Sequence, residues 1–231
     1  MNQNTNDIFN GEFSRQYDAG NARFSAISDN LHFLIALLLK DLPADAHILC
    51  IGVGTGTEIV HLAGQYPGWR FTGVDPSADM LRVCASKLRR AGIGDRCALA
   101  AGYLQDLPGT ADYDAALCLL VTHFILDGER GGLYRQTAAR LKPAGRMVVA
   151  EIAGDMAAAD FDQHLASWAA MQALAGQTPR TADELRTQLQ QRLLLLPPAH
   201  TERLIAEAGF SAPQRFFQSL LIHAWAARKP A

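Results

Sequence analysis

Three glycines at alternate positions, Gly52, Gly54 and Gly56, and one aspartate further on, Asp75, have the types and spacing that could do chemistry. Glycine enters positive φ without a Cβ penalty and lets a ligand come close to the backbone. The glycines follow the apolar run Ile48–Ile51 and precede a helical pattern of Ile59, Val60, Leu62 and Ala63. They therefore read as a strand, a tight turn and a helix start. A purely structural turn between strand and helix has the same look, so the downstream acid matters. Asp75 ends the next strand-like run, Trp69–Val74, about 20 residues past the last glycine, where a carboxylate suits the two hydroxyls of a ribose. Thr57 and Glu58 stand where a dinucleotide fingerprint wants its third glycine. An acid in the first helical turn opposes a pyrophosphate seated on the helix dipole by about 0.3–1 kcal/mol, so a nucleoside without phosphate fits better.

Alternating glycines on one strand and an aspartate on the next resemble the class I S-adenosylmethionine-dependent methyltransferases. The resemblance implies an α/β, doubly wound, Rossmann-like sheet of order 3-2-1-4-5-7-6 with an antiparallel last strand. It also implies S-adenosylmethionine as cofactor and methyl transfer to a small-molecule acceptor. On that reading Gly52, Gly54 and Gly56 approach the methionine moiety and Asp75 holds the ribose. Met80, one turn later, touches the adenine or serves as core. Gly102, Tyr103 and Leu104 follow the third strand and flank adenine. Tyr103 stands where many members carry an aspartate, which leaves Asp106 or the backbone of Tyr103 and Leu104 to receive the adenine amine. Tyr17 and Arg23 either pack on the core or close over the methionine end, whose carboxylate needs a cation or donor. Leu119 and His123 lie at the exit of the fourth strand, Tyr113–Val121, on the carboxyl edge where α/β proteins place their ligands. His123 is the imidazole placed to deprotonate an acceptor, the alternative being a packed histidine. Glu151 closes the fifth strand at the same edge.

Within that family, the tail Ala199–Phe210 followed by Phe216–Ser219 resembles the carboxy-S-adenosylmethionine synthase branch, which acts in tRNA wobble-uridine modification. That likeness implies a second chemistry, carboxy transfer, with Arg186 reading the added carboxylate. Leu119 replaces the asparagine expected there. A third reading is a binding module that keeps the nucleotide fold without turnover; a dehydrogenase fits least, given Thr57 and Glu58.

The elements that must position these residues follow from the pattern. A helix is expected over Glu12–Phe24, carrying Phe13 and Tyr17, and Ser28 or Asp29 is expected to cap a longer one over Asn30–Leu42. After Pro76 and Ser77 comes a helix with Met80, Leu81, Val83, Cys84 and Leu88 on its apolar stripe and Arg82, Lys87, Arg89 and Arg90 as a solvated face. Leu141–Gly145 reads as a turn before a fifth strand, Arg146–Ile152. Residues 155–198 carry two helical patterns joined at Gly176–Pro179 and stopped at Pro197–Pro198, an insertion expected to form a lid or a dimer contact. A helix over Thr201–Ala208 and a closing hairpin of Gln214–Ser219 and Leu220–Arg228 complete the chain.

At 231 residues the expectation is a single domain over 1–231, with a helical segment at 12–42 and the insertion at 155–198. The net charge of −2 and pI near 6.4 lack a basic footprint, so no direct nucleic-acid partner is expected. Cys50, Cys84, Cys97 and Cys118 show no paired spacing and read as small hydrophobes in a reducing compartment. The histidines form no metal pair, so no metal is expected. Residues 1 to about 10 are expected to be disordered, without the features of a signal peptide. The apolar run Leu31–Leu39 falls short of the roughly 20 residues that span a bilayer. A cytoplasmic monomer or homodimer, without a membrane partner, is the expectation.

Overall fold

The computed structural model describes residues 11–231 of the chain. Residues 1–10, expected to be disordered, and the side chain of Phe13 lie outside the described residues. The elements run α1 (Glu12–Asn21), a 3-10 turn (Ala22–Phe24), α2 (Ser25–Leu39), β1 (His47–Ile51), α3 (Thr57–Gln65), β2 (Arg70–Asp75) and α4 (Ala78–Arg90). They continue with β3 (Cys97–Ala101), β4 (Tyr113–Leu119), α5 (Asp127–Arg140), β5 (Leu141–Ile152), α6 (Phe161–Leu174), α7 (Ala182–Gln191), α8 (Pro198–Glu207), β6 (Gln214–Ser219) and β7 (Ile222–Arg228).

The seven strands form one sheet in the order β3-β2-β1-β4-β5-β7-β6, with β7 antiparallel to both β5 and β6, as the resemblance implied. β1 and β4 sit at its centre and read as near-continuous apolar runs because helices cover both faces. Their alternation divides the core. Ile48 and Cys50 face Leu62, Phe71 and Leu88 on one side, while Leu49 and Ile51 face Tyr134, Ile205 and Trp225 on the other. Each Leu or Phe fully withdrawn there contributes about 1.5–3 kcal/mol. A third cluster, Phe161, Leu165, Trp168, Leu185, Leu189 and Leu221, gives the insertion helices a core of their own against the β6–β7 turn.

Several boundaries differ from the sequence reading, each for a local reason. Ser28 and Asp29 do not cap α2, which begins at Ser25 directly off the 3-10 turn; the Ser28 hydroxyl turns back to the Ser25 carbonyl at 3.3 Å. Leu141–Gly145 is not a free turn: the strand runs through it as a bulge, with the register slipping between Tyr113 and Ala115 and Ala144 at φ 60°. Lys142 holds the bulge by donating to both carboxylate oxygens of Asp114 at 2.9 Å. β4 stops at Leu119 because Leu120 takes φ 58°. Pro198 opens α8 rather than stopping the insertion, since proline at the first helical position has no amide hydrogen to lose. Cys50, Cys84 and Cys118 are buried as expected, Cys97 only partly.

The helical stretch Tyr17–Leu39 is long and apolar enough to cross a membrane by length and composition, which the sequence reading did not anticipate. In this fold its Leu31, Ile35, Ala36 and Leu39 pack against the sheet.

Candidate functional site

The strand β1 ends in a turn that only glycine accommodates. Gly52, Gly54 and Gly56 have φ of 64°, 51° and 72°, a region that costs other residues roughly 1–2 kcal/mol each. Their surroundings differ. A Cβ on Gly52 would lie 2.4 Å from Val121 Cγ2, and one on Gly56 2.5 Å from Cys84 Sγ, so these two let the turn sink between β4 and α4. A Cβ on Gly54 would meet nothing within 4 Å. Gly54 is therefore the position at which backbone is laid bare to a ligand, and substitutions at the other two should tell. Gly52→Ala is expected to destabilise the fold by about 1–3 kcal/mol through the Val121 clash and the strained φ, measured by urea unfolding.

Asp75 turns inward to this turn. Its Oδ2 accepts from the Gly54 N–H and its Oδ1 from the Ser77 N–H, both at 2.8 Å. Burial raises the Asp75 carboxyl, and these two amides pull it back down. A carboxylate has about four lone-pair sites, so two remain for hydroxyls after the amides are satisfied. The Gly102 N–H donates to the Asp75 carbonyl at 3.0 Å, which brings the end of β3 beside the tip of β2. Tyr103 is partly exposed there. Asp106, considered as a partner for adenine, folds back instead: its Oδ2 accepts from the Tyr103 N–H at 2.7 Å and crowds Gly102. Met80 and Leu104 are buried as core.

Beside the glycine turn lies a cavity of about 640 Å³. Gly52 and Gly54 form part of its floor, Leu119 and Leu120 its β4 side, Tyr17, Phe24 and Leu31 the helical segment above, and Trp168 and Met171 the insertion. The insertion thus supplies one wall of the cavity. Leu120 presents a side chain from a left-handed backbone into this space, and strain of that kind is typical of functional sites. Tyr17 reaches the cavity, and burial raises its phenol.

Of the expected site residues, Tyr17, Gly52, Gly54 and Leu119 line the cavity; Asp75 stands behind the turn, bonded to Gly54, and Arg23, Gly56, Met80, Gly102, Tyr103, Leu104, His123 and Arg186 do not line it. Arg23 donates through Nη1 to the carbonyls of Ala175 and Gly176 at 2.9 Å, tying the N-terminal segment to the end of α6. Arg186 pairs with Asp162 and lies over the Phe161 ring at 5.2 Å, stitching the insertion to itself. His123 is 2 % exposed; its Nδ1 accepts from the Ile152 N–H at 3.2 Å, and burial, aided by the Arg130 charge, pushes it down to about 3. A neutral, enclosed imidazole off the cavity is a structural group. Glu151 sits below the sheet edge, bonded to Thr122, Arg130 and Thr201.

Two cavity residues escaped the sequence reading. Lys87, taken for part of a solvated face, turns to the glycine turn and donates to Thr55 Oγ1 at 3.0 Å and Thr57 Oγ1 at 2.9 Å, with Asp18 Oδ2 at 2.7 Å. Lys87 falls one turn past Cys84, which packs on Gly56. Glu58, weighed only against phosphate, lines the same wall.

Residues 48–145 match the family model described as a methyltransferase domain. The chain is 33% identical over 155 residues to the ubiquinone/menaquinone biosynthesis C-methyltransferase UbiE of Syntrophotalea carbinolica, covering 64% of this chain and 61% of that protein. It is 33% identical over 110 residues to the O-methyltransferase cnsE of Penicillium expansum, covering 47% and 39%. The chain spans less than two thirds of the length of the curated relatives it matches. Among solved structures, the magnesium protoporphyrin IX methyltransferase ChlM of Synechocystis PCC 6803, solved with bound SAH, superposes with a TM-score of 0.71 at 16% identity, over 99% of this chain and all of that one. Residues 48–145 thus match a methyltransferase-domain model, in a chain that has the fold of a solved methyltransferase.

Proposed function

We propose that this chain transfers the methyl group of S-adenosylmethionine to a small-molecule acceptor. The observation that carries the reading is the Asp75 carboxylate held against the Gly54 N–H, at a glycine turn that opens on the cavity. These residues fit the cofactor: Gly54 offers open backbone with no neighbour within 4 Å of its missing side chain, and Asp75 keeps lone pairs beyond its two amide bonds for a ribose. A relative that is a C-methyltransferase and a fold neighbour solved with SAH support the same choice.

When bound, S-adenosylmethionine supplies an activated methyl group on a sulfonium. What the chain must then do is place an acceptor atom in line with it, about 3–3.5 Å away, and keep water out. Leu119, Leu120, Trp168, Met171 and Ile152 supply the apolar surface for that. Gln172 and Gln177 offer it polar atoms. The acceptor's proton leaves without help from His123.

Carboxy transfer would need a cation to read the added carboxylate. Arg186 is committed elsewhere in the insertion, and the one lysine or arginine among the described lining residues, Lys87, is already paired with Asp18. Mass spectrometry of nucleosides that copurify with the protein separates the two chemistries. S-adenosylmethionine or S-adenosylhomocysteine is expected, and a carboxylated sulfonium would overturn the reading. Incubation with S-adenosylmethionine and a panel of apolar phenols and quinols, followed by detection of S-adenosylhomocysteine, tests the activity itself.

A further inference from the structure

The charges on the cavity wall beside the glycine turn are unevenly matched. The Asp18 carboxylate is fully engaged: Oδ1 accepts from Thr55 Oγ1 at 2.7 Å and Oδ2 pairs with Lys87 Nζ at 2.7 Å. Lys87 in turn is shared with the hydroxyls of Thr55 and Thr57. Glu58, in the first turn of α3 and directly after the glycines, lines the same wall. Its carboxylate bonds its own backbone N–H and feels Lys87 only at a distance. The titratable groups around it are Tyr17 from α1, Cys50 from β1, Asp75 from β2, and Cys84 and Lys87 from α4. Lys87 is the one cation in that set. A half-buried carboxylate that has no cation of its own among the described residues, beside the partly exposed turn of Gly52 and Gly54, is a place for a cationic ligand group.

Of the two cations on S-adenosylmethionine, the sulfonium has no hydrogen to donate and the α-ammonium has three. We propose that Glu58 is the counter-ion of the cofactor's α-ammonium. This rests on the transfer reading above. Geometry places the carboxylate; its titration adds a consequence. Burial pushes the Glu58 carboxyl up to about 7, its own backbone N–H and Lys87 pull it down, and Asp75 pushes it up. The ammonium pairs with the ionised form, so binding must draw off a proton whenever the pH is below that value. Affinity therefore rises with pH and levels off above about 7.

Titration calorimetry with S-adenosylmethionine and two further probes tests this. S-adenosylhomocysteine keeps the ammonium, and 5′-methylthioadenosine keeps the nucleoside and thioether without any amino acid. Glu58→Gln, which preserves shape, is expected to weaken S-adenosylhomocysteine by about 10- to 100-fold, the range for a hydrogen bond between charged groups. It should leave methylthioadenosine within twofold, which also shows that the variant is folded. Between pH 5 and 7 the wild-type affinity for S-adenosylhomocysteine should climb by up to tenfold per unit, and the variant should be flat. Equal S-adenosylhomocysteine affinity in both proteins overturns the Glu58 assignment and leaves the transfer reading intact. Loss confined to S-adenosylmethionine would show that the charge reads the sulfonium and overturns it too. If the wild type binds none of the three nucleosides, the transfer reading falls, and this inference with it.

Discussion

Arg130→Met is expected to lower the stability of the fold by about 3–5 kcal/mol, the cost of leaving a buried charge without its partner. Arg130 and Glu151 are both 0 % exposed, with Nη1 donating to Oε2 at 3.1 Å. The three nitrogens of Arg130 and the two oxygens of Glu151 each have a partner. Thr122 Oγ1 donates to Oε2 at 2.6 Å, Thr201 Oγ1 donates to Oε1, Arg130 Nε donates to the Ile125 carbonyl at 2.9 Å, and Nη2 donates to the Leu194 carbonyl. The network joins α5, the exit of β4, the end of β5, the last residues of the insertion and α8. With the guanidinium gone, the Glu151 charge stays under the sheet edge facing only hydroxyls. In a chain of this size the loss corresponds to a fall in Tm of roughly 6–20 °C. The double variant Arg130→Met, Glu151→Gln should recover part of it, because neither charge is then stranded. Urea unfolding measures both, and a single-variant loss below about 1 kcal/mol would mean that the network does not brace the insertion against the sheet.

Asp75→Ala is expected to weaken S-adenosylhomocysteine binding by about 1.5–3 kcal/mol, the range for hydrogen bonds to a charged acceptor. The carboxylate has two roles in this geometry, and the variant loses both. It fixes the Gly54 and Ser77 amides, and on the proposed reading its remaining lone pairs accept from the ribose. Asp75→Asn separates the roles. It keeps one oxygen acceptor but presents an NH2 to one of the two amides, so it should fall between wild type and alanine. Calorimetry reads the affinity and far-UV circular dichroism confirms the fold; an unchanged affinity in Asp75→Ala would remove its role as ribose partner.

What the sequence made legible was whatever depends on local pattern. The glycine spacing, the apolar run before it and the acid at the next strand tip placed the turn and its partner, and Gly54 N–H on Asp75 is that pairing realised. Strand order followed from the resemblance, since periodicity identifies strands but not their neighbours. Side-chain direction was harder. His123 and Glu151 do stand at the carboxyl edge, yet both side chains are buried, His123 against the Ile152 N–H and Glu151 against Arg130 of α5 and Thr201 of α8. Glu151 carried a readable warning: an acid inside the apolar run Met147–Ile152 must find buried partners. Nothing in the local pattern marked Arg130 as one of them, because α5 is polar throughout and its buried face is set by tertiary contact. Lys87 was misplaced for the same reason, as one basic residue among four on α4. Arg23 was assigned to a carboxylate on its charge and place in the N-terminal segment, Arg186 on the resemblance of the tail. The α6 carbonyls and Asp162 that hold them come from segments up to 153 residues away, beyond the reach of any spacing rule.

The central claim is that the turn of Gly52, Gly54 and Gly56 together with Asp75 forms the seat of an adenosyl group. A crystal structure of the protein with S-adenosylhomocysteine tests it most directly. The account predicts the ribose hydroxyls within hydrogen-bond distance of the Asp75 carboxylate, the amino-acid tail over Gly52 and Gly54, and the sulfur facing the space enclosed by Leu120 and Trp168. A nucleoside seated elsewhere, with Asp75 still bonded only to its two backbone amides, would contradict it.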